Sequence, residues 1–284
     1  MKKIFKSSHR RSPGGDYLSF KNGGTSAMIN TGRPELRAVL DSPDRFFEEA
    51  LIIKDSRSVT VARIETPETG TFLLKRYKYK GLFYSLTHIF KRPRPAQVLI
   101  FSNLLRSAGV KTPKVLATII KRRYHLLQYK SYLLTEYVEN IIPPDILVLK
   151  LLENKLNFTE YRNKVIFCLN HLHENCAIHG DLKIHNIYCK TTTTGLEVGL
   201  LDLDSVECFK GPINAKIRAK DLSRFIASII QIAEHNNTTA PDVGKICEFV
   251  LSEYERISGF SLDYEYIRQR VNYHIERKRG KRNA

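Results

Sequence analysis

The segment 178–187 carries polar side chains whose types and spacing suit phosphoryl transfer. A carboxylate at Asp181 could accept or orient the proton of an attacking hydroxyl. The amide oxygen of Asn186, five residues later, could reach a magnesium ion. Lys183 lies between them, and its ammonium group could balance the charge of a transferred phosphoryl group. We therefore predict Asp181 and Lys183 as catalytic residues and Asn186 as a metal ligand, and we expect His179 to support the loop structurally.

A second carboxylate follows an apolar segment sixteen residues after Asn186. The segment 199–205 reads Gly-Leu-Leu-Asp-Leu-Asp-Ser, which indicates a buried strand that ends in an acidic residue. A carboxylate in such a position could bind the Mg²⁺ that bridges nucleotide phosphates. Asp202 is the favoured ligand because it directly follows the apolar residues, and Asp204 is the alternative.

A lysine within an apolar strand could bind the phosphates of the nucleotide. Strand alternation in the segment 71–77 places Lys75 on the same face as Leu73 and Tyr77. Taken alone, Lys75 is better explained as a surface lysine whose aliphatic stem covers apolar neighbours, and the order of the other motifs favours the nucleotide-binding role. No G-x-G-x-x-G loop precedes it, and the segment 54–58 occupies that place. We predict that Ser56 and Ser58 there bind the nucleotide, with backbone amides covering its phosphates.

Hydrophobic periodicity predicts a β-rich first half and a helical second half. In the first half we expect strands over 58–64, 71–77, 116–120 and 132–138, with one helix over 95–107. In the second half we expect a helix beginning at Thr159 and further helices over 221–232, 240–251 and 261–276. Between the first two of these helices, a hairpin is predicted around Ile187 and Leu200, with its loop at 191–195.

The predicted organisation is an α+β, bilobal chain. We expect an irregular basic arm over 1–45, an N-terminal lobe over 46–138, a C-terminal lobe over 139–276 and a basic tail over 277–284.

Composition favours an anionic partner. Lys and Arg number 46 against 29 acidic residues, which gives a formal net charge of +17. The five cysteines include no C-x-x-C pair, which argues against a disulfide framework and a zinc site. No apolar run is long enough to span a bilayer, and an apolar signal-peptide core is missing. We therefore expect a cytoplasmic protein that can make peripheral contact with the inner membrane.

The order of these features resembles that of the protein kinases. A lysine strand, a helix, a linker strand, an H-x-D-x-x-x-x-N loop, a hairpin and an acidic strand end follow one another in the kinase order. More specifically, the chain is similar to the bacterial lipopolysaccharide kinase family, which phosphorylates Kdo or heptose in the inner core. The segments that carry this resemblance are 74–77, 104–117, 132–136, 179–187 and 201–204, and Lys220-Asp221-Leu222 is similar to a helix whose Asp braces the catalytic loop.

This resemblance implies a protein-kinase-like fold that uses ATP and Mg²⁺. It implies a sugar acceptor attached to the anionic glycolipid lipid A, and it makes Glu136, at the lobe-connecting segment, a nucleotide-binding residue. The basic and aromatic residues between Lys75 and Arg94 could hold such an acceptor at the membrane surface. The chain departs from the kinase pattern because no acidic residue stands near Gln97, where a partner for the lysine is expected.

Two other functions remain open at this stage. An atypical RIO-like Ser/Thr protein kinase also fits an H-G-D-L loop followed by Asn186. The second is a catalytically degenerate kinase fold that only binds its ligand, because no acidic residue stands near Gln97 to pair with Lys75. We expect no nucleic-acid partner, because the sequence contains no recognition motif for one.

Overall fold

The computed structural model divides the chain into two compact units. The first comprises Met1–Asn103 and Pro113–Val138, and the second comprises Leu104–Thr112 and Glu139–Ala284. The structure describes residues 10–11, 16–48, 50–66, 70–78, 81, 92–124, 127–152, 159–236 and 242–282.

The described part of the first unit is built on one antiparallel sheet. Its strands are β1 (Arg10–Arg11), β2 (Tyr17–Asn22), β3 (Thr25–Asn30), β4 (Leu51–Asp55), β5 (Val59–Thr66), β6 (Gly70–Tyr77), β7 (Val115–Arg123) and β8 (Leu127–Glu136). They are arranged in the order β1-β2-β3-β7-β8-β6-β5-β4. The strands predicted from the sequence correspond to β5, β6, β7 and β8, and the β-rich character of this half is confirmed.

One face of the sheet forms the core of the first unit. In β6, Phe72 and Leu74 are fully buried whereas Leu73 and Lys75 are half-buried, as a period of two requires. The short helix α1 (Arg37–Asp41) contributes Val39 to the same apolar cluster. Because side chains alternate between the two faces of the strand, the Lys75 side chain lies outside this core.

The prediction of an irregular arm over 1–45 is wrong for much of its length. β2 and β3 form a hairpin that joins the sheet next to β7, and Phe20 and Ile29 lie in the core. The hairpin turns at Gly23 and Gly24, and Gly23 has a φ of 53°. A two-residue Gly-Gly turn is a known hairpin signal, but the buried residues of β2, Tyr17 and Phe20, lie three positions apart and show no period-two alternation beside it.

The described part of the second unit is mainly helical. Helix α2 (Arg94–Ser107) has residues in both units. The helices that lie entirely in the second unit are α3 (Pro144–Leu152), α4 (Thr159–Glu174), α5 (Ala215–His235), α6 (Val243–Ser258) and α7 (Tyr264–Arg282). Its strands are β9 (Ala177–Ile178), β10 (Ile187–Thr192), β11 (Gly195–Leu200) and β12 (Glu207–Cys208). β10 and β11 form the predicted hairpin, and β12 pairs with β9. The predicted helices are confirmed, so the α+β fold class holds.

Helix α5 is the central element of this unit. Asn214 caps it by accepting a hydrogen bond of 3.0 Å from the backbone N–H of Ile217. Leu222, Phe225 and Ile229 are buried along its length, and helices α6 and α7 both pack against it. Because α5 is anchored in this way, the side chains on its exposed face have a defined position.

The basic tail predicted from residue 277 is instead the last part of α7. The helix continues to Arg282, and side chains near its end contact α5. Lys278 donates a hydrogen bond of 2.7 Å to Gln231, and Arg279 forms an ion pair of 2.6 Å with Glu234. These pairs explain why a charged sequence without an apolar stripe remains helical here.

Two expectations about membranes can be compared with the structure. Among the described residues, no helix is both long and apolar enough to cross a bilayer. Most of the basic and aromatic segment between Lys75 and Arg94 lies outside the described residues.

Candidate active site

Asp181 lies in the loop between β9 and β10, where two cations hold its carboxylate. One oxygen accepts a hydrogen bond of 2.7 Å from Arg224, and the other accepts one of 2.9 Å from Lys183. The Asp181 side chain remains 33% exposed. The carboxylate therefore has a fixed orientation and is still accessible to a substrate hydroxyl.

The loop around Asp181 is held by a buried carboxylate on α5. Asp221 accepts hydrogen bonds from the backbone N–H groups of His179, at 2.6 Å, and Gly180, at 2.9 Å. Burial raises the pKa of Asp221, but hydrogen bonds from His173 and from the His179 N–H outweigh burial, and the net pKa is lowered. Asp221 is thus an ionised anchor, and the prediction that it braces the loop is confirmed.

Gly180 occupies the position at which the kinase pattern has arginine, and the backbone explains the difference. Its φ of 77° lies in the left-handed region, which glycine adopts without steric strain. A Cβ atom built at this position would also overlap the carbonyl oxygen of Ser205. A larger residue therefore does not fit beside Asp181 in this loop.

His179 and Asn186 connect the catalytic loop to the segment that carries Asp202. The buried His179 ring lies 2.8 Å from the carbonyl oxygen of Leu201, so its Nε2 donates a hydrogen bond there. The Leu201 N–H donates to the carbonyl oxygen of Asn186, and the Asn186 amide nitrogen donates to the carbonyl oxygen of Asp181, both at 2.8 Å. His179 has the structural role predicted for it, and the loop that carries Asp181 and Asn186 lies against the segment that carries Asp202.

Asp202 follows β11 in a left-handed backbone conformation, with φ 54° and ψ 63°. Such a conformation is unfavourable for most non-glycine residues by roughly 1–2 kcal/mol, although Asp tolerates it better than most. Strain of this kind is typical of functional positions. Asp204 lies two residues further on, in the 3₁₀ turn Leu203–Ser205. The conformation turns the chain at Asp202 itself, which the sequence did not reveal.

The donor atoms near Asn186 and Asp202 fit a magnesium ion. Carboxylate and amide oxygens are hard ligands of the type that Mg²⁺ prefers. Because the Asn186 amide nitrogen is committed to Asp181, its oxygen is the atom left for a metal. The described residues contain no group of three or more His, Cys, Asp or Glu residues that could hold a metal alone. Proteins usually bind Mg²⁺ through one or two side chains together with substrate phosphates, so Asn186 and Asp202 remain the predicted ligands.

Lys75 and Glu136 belong to neighbouring strands of the first unit. Lys75 pairs with Val61 of β5 and Leu133 of β8, and its ammonium group lies 5.5 Å from the centre of the Tyr77 ring. Glu136 ends β8, where its carboxylate accepts a hydrogen bond of 3.0 Å from the Lys114 backbone N–H. The Glu136 side chain therefore has a backbone partner, and its nucleotide-binding role remains a prediction.

Ser56 and Ser58 lie in the turn between β4 and β5. The Ser56 hydroxyl bonds to the backbone of Val59, at 3.0 Å to the carbonyl oxygen and 3.2 Å to the N–H. The Ser58 carbonyl oxygen accepts a hydrogen bond of 2.9 Å from the Lys78 N–H. The turn is ordered by its own hydrogen bonds, and its role in nucleotide binding remains a prediction.

Sequence reasoning missed Arg224, which contacts Asp181 directly. Arg224 lies three residues after Asp221 on α5, and residues three apart occupy the same face of a helix. Once Asp221 is recognised as the residue that braces the loop, this spacing indicates that Arg224 also faces the loop. The signal was therefore present in the sequence, but it depends on the register of the helix.

Comparison with solved structures gives one match that supports the fold assignment and one weaker match. A solved structure described as WaaP in complex with acyl carrier protein matches with a TM-score of 0.54 and 16% sequence identity, covering 90% of this chain and 98% of that chain. A Rio2 kinase–ADP/Mg²⁺–phosphoaspartate complex from Chaetomium thermophilum has a TM-score of 0.45 and 11% identity, covering 98% of this chain and 82% of that chain. No curated protein matches the chain.

The family comparison is more specific. The model of the lipopolysaccharide kinase (Kdo/WaaP) family matches residues 73–244, which is more than half of the chain. The matched region contains Lys75, Asp181, Asn186 and Asp202. The predicted family resemblance is confirmed. The chain is a phosphotransferase that belongs to the lipopolysaccharide kinase (Kdo/WaaP) family.

Proposed function

We propose that the protein transfers the γ-phosphoryl group of ATP to a hydroxyl of an inner-core sugar of lipopolysaccharide, either Kdo or heptose. The observation that carries this proposal is the family match over residues 73–244, which includes every residue of the Asp181 loop and the Asp202 segment. The hydrogen bonds that join these two segments support it, because phosphoryl transfer depends mainly on positioning and electrostatic stabilisation.

In this proposal, Asp181 orients the acceptor hydroxyl and accepts its proton. Arg224 and Lys183 hold the two carboxylate oxygens, so the side chain does not need to reorient when the sugar binds. The Lys183 ammonium group also lies where it can offset negative charge on the transferred group. The buried Asp221 keeps the loop in place through the backbone on the N-terminal side of Asp181.

The other proposed roles concern the nucleotide and its metal ion. Lys75 is proposed to bind its phosphates, with Ser56, Ser58 and Glu136 as further nucleotide-binding residues. Asn186 and Asp202 are proposed to hold Mg²⁺. When bound, the ion would neutralise charge on the phosphates.

The test is transfer of label from ATP to a defined acceptor. The protein is incubated with γ-labelled ATP, Mg²⁺ and deacylated core glycan, and the products are separated into glycan and protein fractions. We expect label on the glycan, with the position of the phosphate identified by mass spectrometry as Kdo or heptose. The variant Asp181→Asn should lower the rate by about 10²–10⁴-fold, the usual contribution of a general base.

The control variant is Glu253→Gln on α6. It also removes a carboxylate, but Glu253 pairs with Arg256 and not with a residue of the Asp181 loop. It should transfer label at the wild-type rate. Label on Ser or Thr of a protein in place of the glycan would favour the RIO-like alternative. Transfer to glycan that is unchanged in Asp181→Asn would contradict the catalytic assignment.

We further propose that the protein works at the cytoplasmic face of the inner membrane, where its lipid A-linked acceptor is exposed. The net charge of +17 supports this location, because basic side chains near an anionic membrane contribute on the order of 1 kcal/mol each.

A further inference from the structure

A cavity of about 500 Å³ opens beside Asp181 within the second unit. The catalytic loop, α5 and α7 form its wall. Its charged and titratable lining residues are Asp181, Lys183, Arg224, His274, Arg277 and Lys278. Small-molecule sites usually have volumes of about 300–1,000 Å³, so the cavity has room for a sugar-sized ligand.

The wall of this cavity is strongly cationic. Four Lys and Arg side chains line it against the single carboxylate of Asp181, which leaves a formal excess of three positive charges. His274 also lines the cavity, and its buried Nε2 atom has no hydrogen-bond partner among the described residues. A lining of this composition fits a ligand that carries negative charge and hydrogen-bond acceptors.

The arginines on the wall can recognise a planar or tetrahedral oxyanion. Arg224 has five N–H donors, and its hydrogen bond to Asp181 uses one of them. Arg277 adds a second guanidinium group from α7, one residue before Lys278. Lys278 is held in place by its hydrogen bond of 2.7 Å to Gln231 on α5. Guanidinium groups match carboxylates and phosphates in bidentate geometry, which gives specificity as well as affinity.

We propose that this cavity is an acceptor subsite that binds an oxyanion on the sugar substrate, either a carboxylate or a phosphate monoester, through Arg224 and Arg277 with help from Lys278. The bound anion would place a neighbouring hydroxyl of the same molecule at Asp181. This inference rests on the proposed function and deepens it, because it names the chemical group by which the acceptor is oriented.

The helix α7 then contributes to substrate recognition as well as to stability. Arg277 and Arg279 illustrate the difference, because they lie on the same helix two residues apart. Arg277 lines the cavity, whereas Arg279 pairs with Glu234 and does not. Exchanging either one for glutamine removes one positive charge, so the two variants form a matched pair.

The test is equilibrium binding by calorimetry, without nucleotide, to two pairs of sugars. One pair is Kdo and its methyl ester, and the other is a phosphorylated heptose and heptose. Within each pair only the anionic group differs. We expect the anionic member of at least one pair to bind about tenfold more tightly than its neutral partner at low salt. The pair that shows the preference identifies the oxyanion as carboxylate or phosphate.

The variants decide whether the preference arises in this cavity. Arg277→Gln should reduce it about tenfold, the usual effect of losing a charged hydrogen bond, and Lys278→Gln should reduce it less. Arg279→Gln should keep the wild-type preference, and thermal unfolding should show all three variants folded. Equal binding within both pairs, no binding of either anion at millimolar concentration, or a preference retained in Arg277→Gln would overturn the inference.

The outcome is independent of the transfer assay. A protein that binds the anionic sugars but transfers no phosphate would contradict the proposed function and leave the subsite in place. A protein that phosphorylates the glycan yet shows no anion preference would contradict only the subsite.

Discussion

The environment of the Asp181 carboxylate shows how individual residues prepare this site. Its two oxygens accept hydrogen bonds from Arg224 and Lys183. The backbone of its loop is held by hydrogen bonds with the side chains of Asp221 and Asn186. Each restraint uses charge-assisted or backbone hydrogen bonds in a partly buried setting, where they are stronger than in water. The geometry of Asp181 therefore does not depend on the substrate.

The choice between Asp202 and Asp204 as metal ligand can be decided by paired variants. Asp202→Asn should lower the transfer rate by more than about 100-fold, because losing even an outer partner of a metal ligand has effects of about 10–100-fold. Asp204→Asn should have a smaller effect, since this residue lies in the 3₁₀ turn beyond the strained position.

The rate is measured over a range of Mg²⁺ concentrations. Activity of Asp202→Asn should recover in part as Mg²⁺ is raised, whereas a purely structural defect would not respond to the ion. If Asp204→Asn has the larger effect and the stronger Mg²⁺ dependence, the assignment is reversed.

His274 predicts how the stability of the protein depends on pH. Burial and the neighbouring charges of Arg224, Arg270 and Arg277 lower the pKa of His274 to about 4, from an ordinary value of 6.5. Between these two values the unfolded chain binds a proton at this residue and the folded chain does not. The free energy of unfolding should therefore fall as the pH is lowered from 6.5 towards 4, and its contribution from His274 should be constant above that window.

The measurement is urea unfolding of the wild type and His274→Gln at several pH values. The variant should lose less stability than the wild type between pH 6.5 and 4. The free energy of unfolding of the variant should still fall somewhat over this range, because burial and nearby lysines also lower the pKa of His185. His235→Gln at the end of α5 is the control. Identical slopes for His274→Gln and the wild type would show that His274 takes up its proton equally in both states.

At the scale of elements, the β10–β11 hairpin sets the position of Asp202. The Leu200 N–H donates to the Lys111 carbonyl oxygen at 2.9 Å, and Gly199 allows the two backbones to approach closely. A Cβ atom at Gly199 would lie 2.6 Å from the same Lys111 oxygen and 2.5 Å from the Tyr188 ring. The segment that leads to Asp202 is thus held against the turn that follows α2.

Gly199→Ala should disturb this approach. The added methyl group must push β11 away from the Lys111 backbone, which should destabilise the protein by about 1–3 kcal/mol, as overpacking usually does. It should also lower the transfer rate, because Asp202 follows β11 by two residues. Thermal unfolding and the transfer assay measure both effects.

Gly211→Ala is the matched control, because nothing lies within 4 Å of a Cβ atom built there. Its stability and activity should stay close to wild type. A Gly199→Ala protein that is as stable and as active as Gly211→Ala would contradict the packing argument.

The elements also show what sequence patterns can and cannot reveal. The strand that carries Lys75 and the helices α4 to α7 follow from hydrophobic periodicity, because their buried faces repeat over several turns or strand residues. The hairpin β2–β3 was missed because the buried residues of β2, Tyr17 and Phe20, do not alternate with a period of two. The segments that carry Asp181, Asn186 and Asp202 were singled out by residue type and spacing, and hydrogen bonds join them in the structure, whereas the chemical roles of the three residues remain predictions.

Features that depend on tertiary packing were beyond the sequence. The left-handed conformation at Asp202 is one of them, and the contact of Arg224 with Asp181 can be inferred only once Asp221 is known to brace the loop. The helical end of α7 likewise depends on contacts with α5, since its own sequence is polar and charged all round. Local propensity predicts little for such a helix, and tertiary contacts decide its length.

At the scale of the whole molecule, the net charge of +17 predicts association that depends on salt. Part of this charge lies on α7, whose described basic residues include Arg268, Arg270, Arg277 and Lys278. A surface of this kind attracts an anionic bilayer or glycolipid through long-range forces. The Debye length falls from about 10 Å at 0.1 M salt to about 3 Å at 1 M salt, so most of this attraction is screened at high salt.

Binding to vesicles with acidic phospholipids should therefore weaken at least about tenfold between 0.1 M and 1 M NaCl, measured by co-sedimentation. A tenfold change corresponds to about 1.4 kcal/mol, which one or two basic side chains at an anionic surface supply. Vesicles of phosphatidylcholine alone are the control and should bind weakly at both salt concentrations. Strong binding that persists in 1 M NaCl would instead indicate apolar insertion, for which the exposed Leu51 and Ile53 of the edge strand β4 would be the first residues to replace.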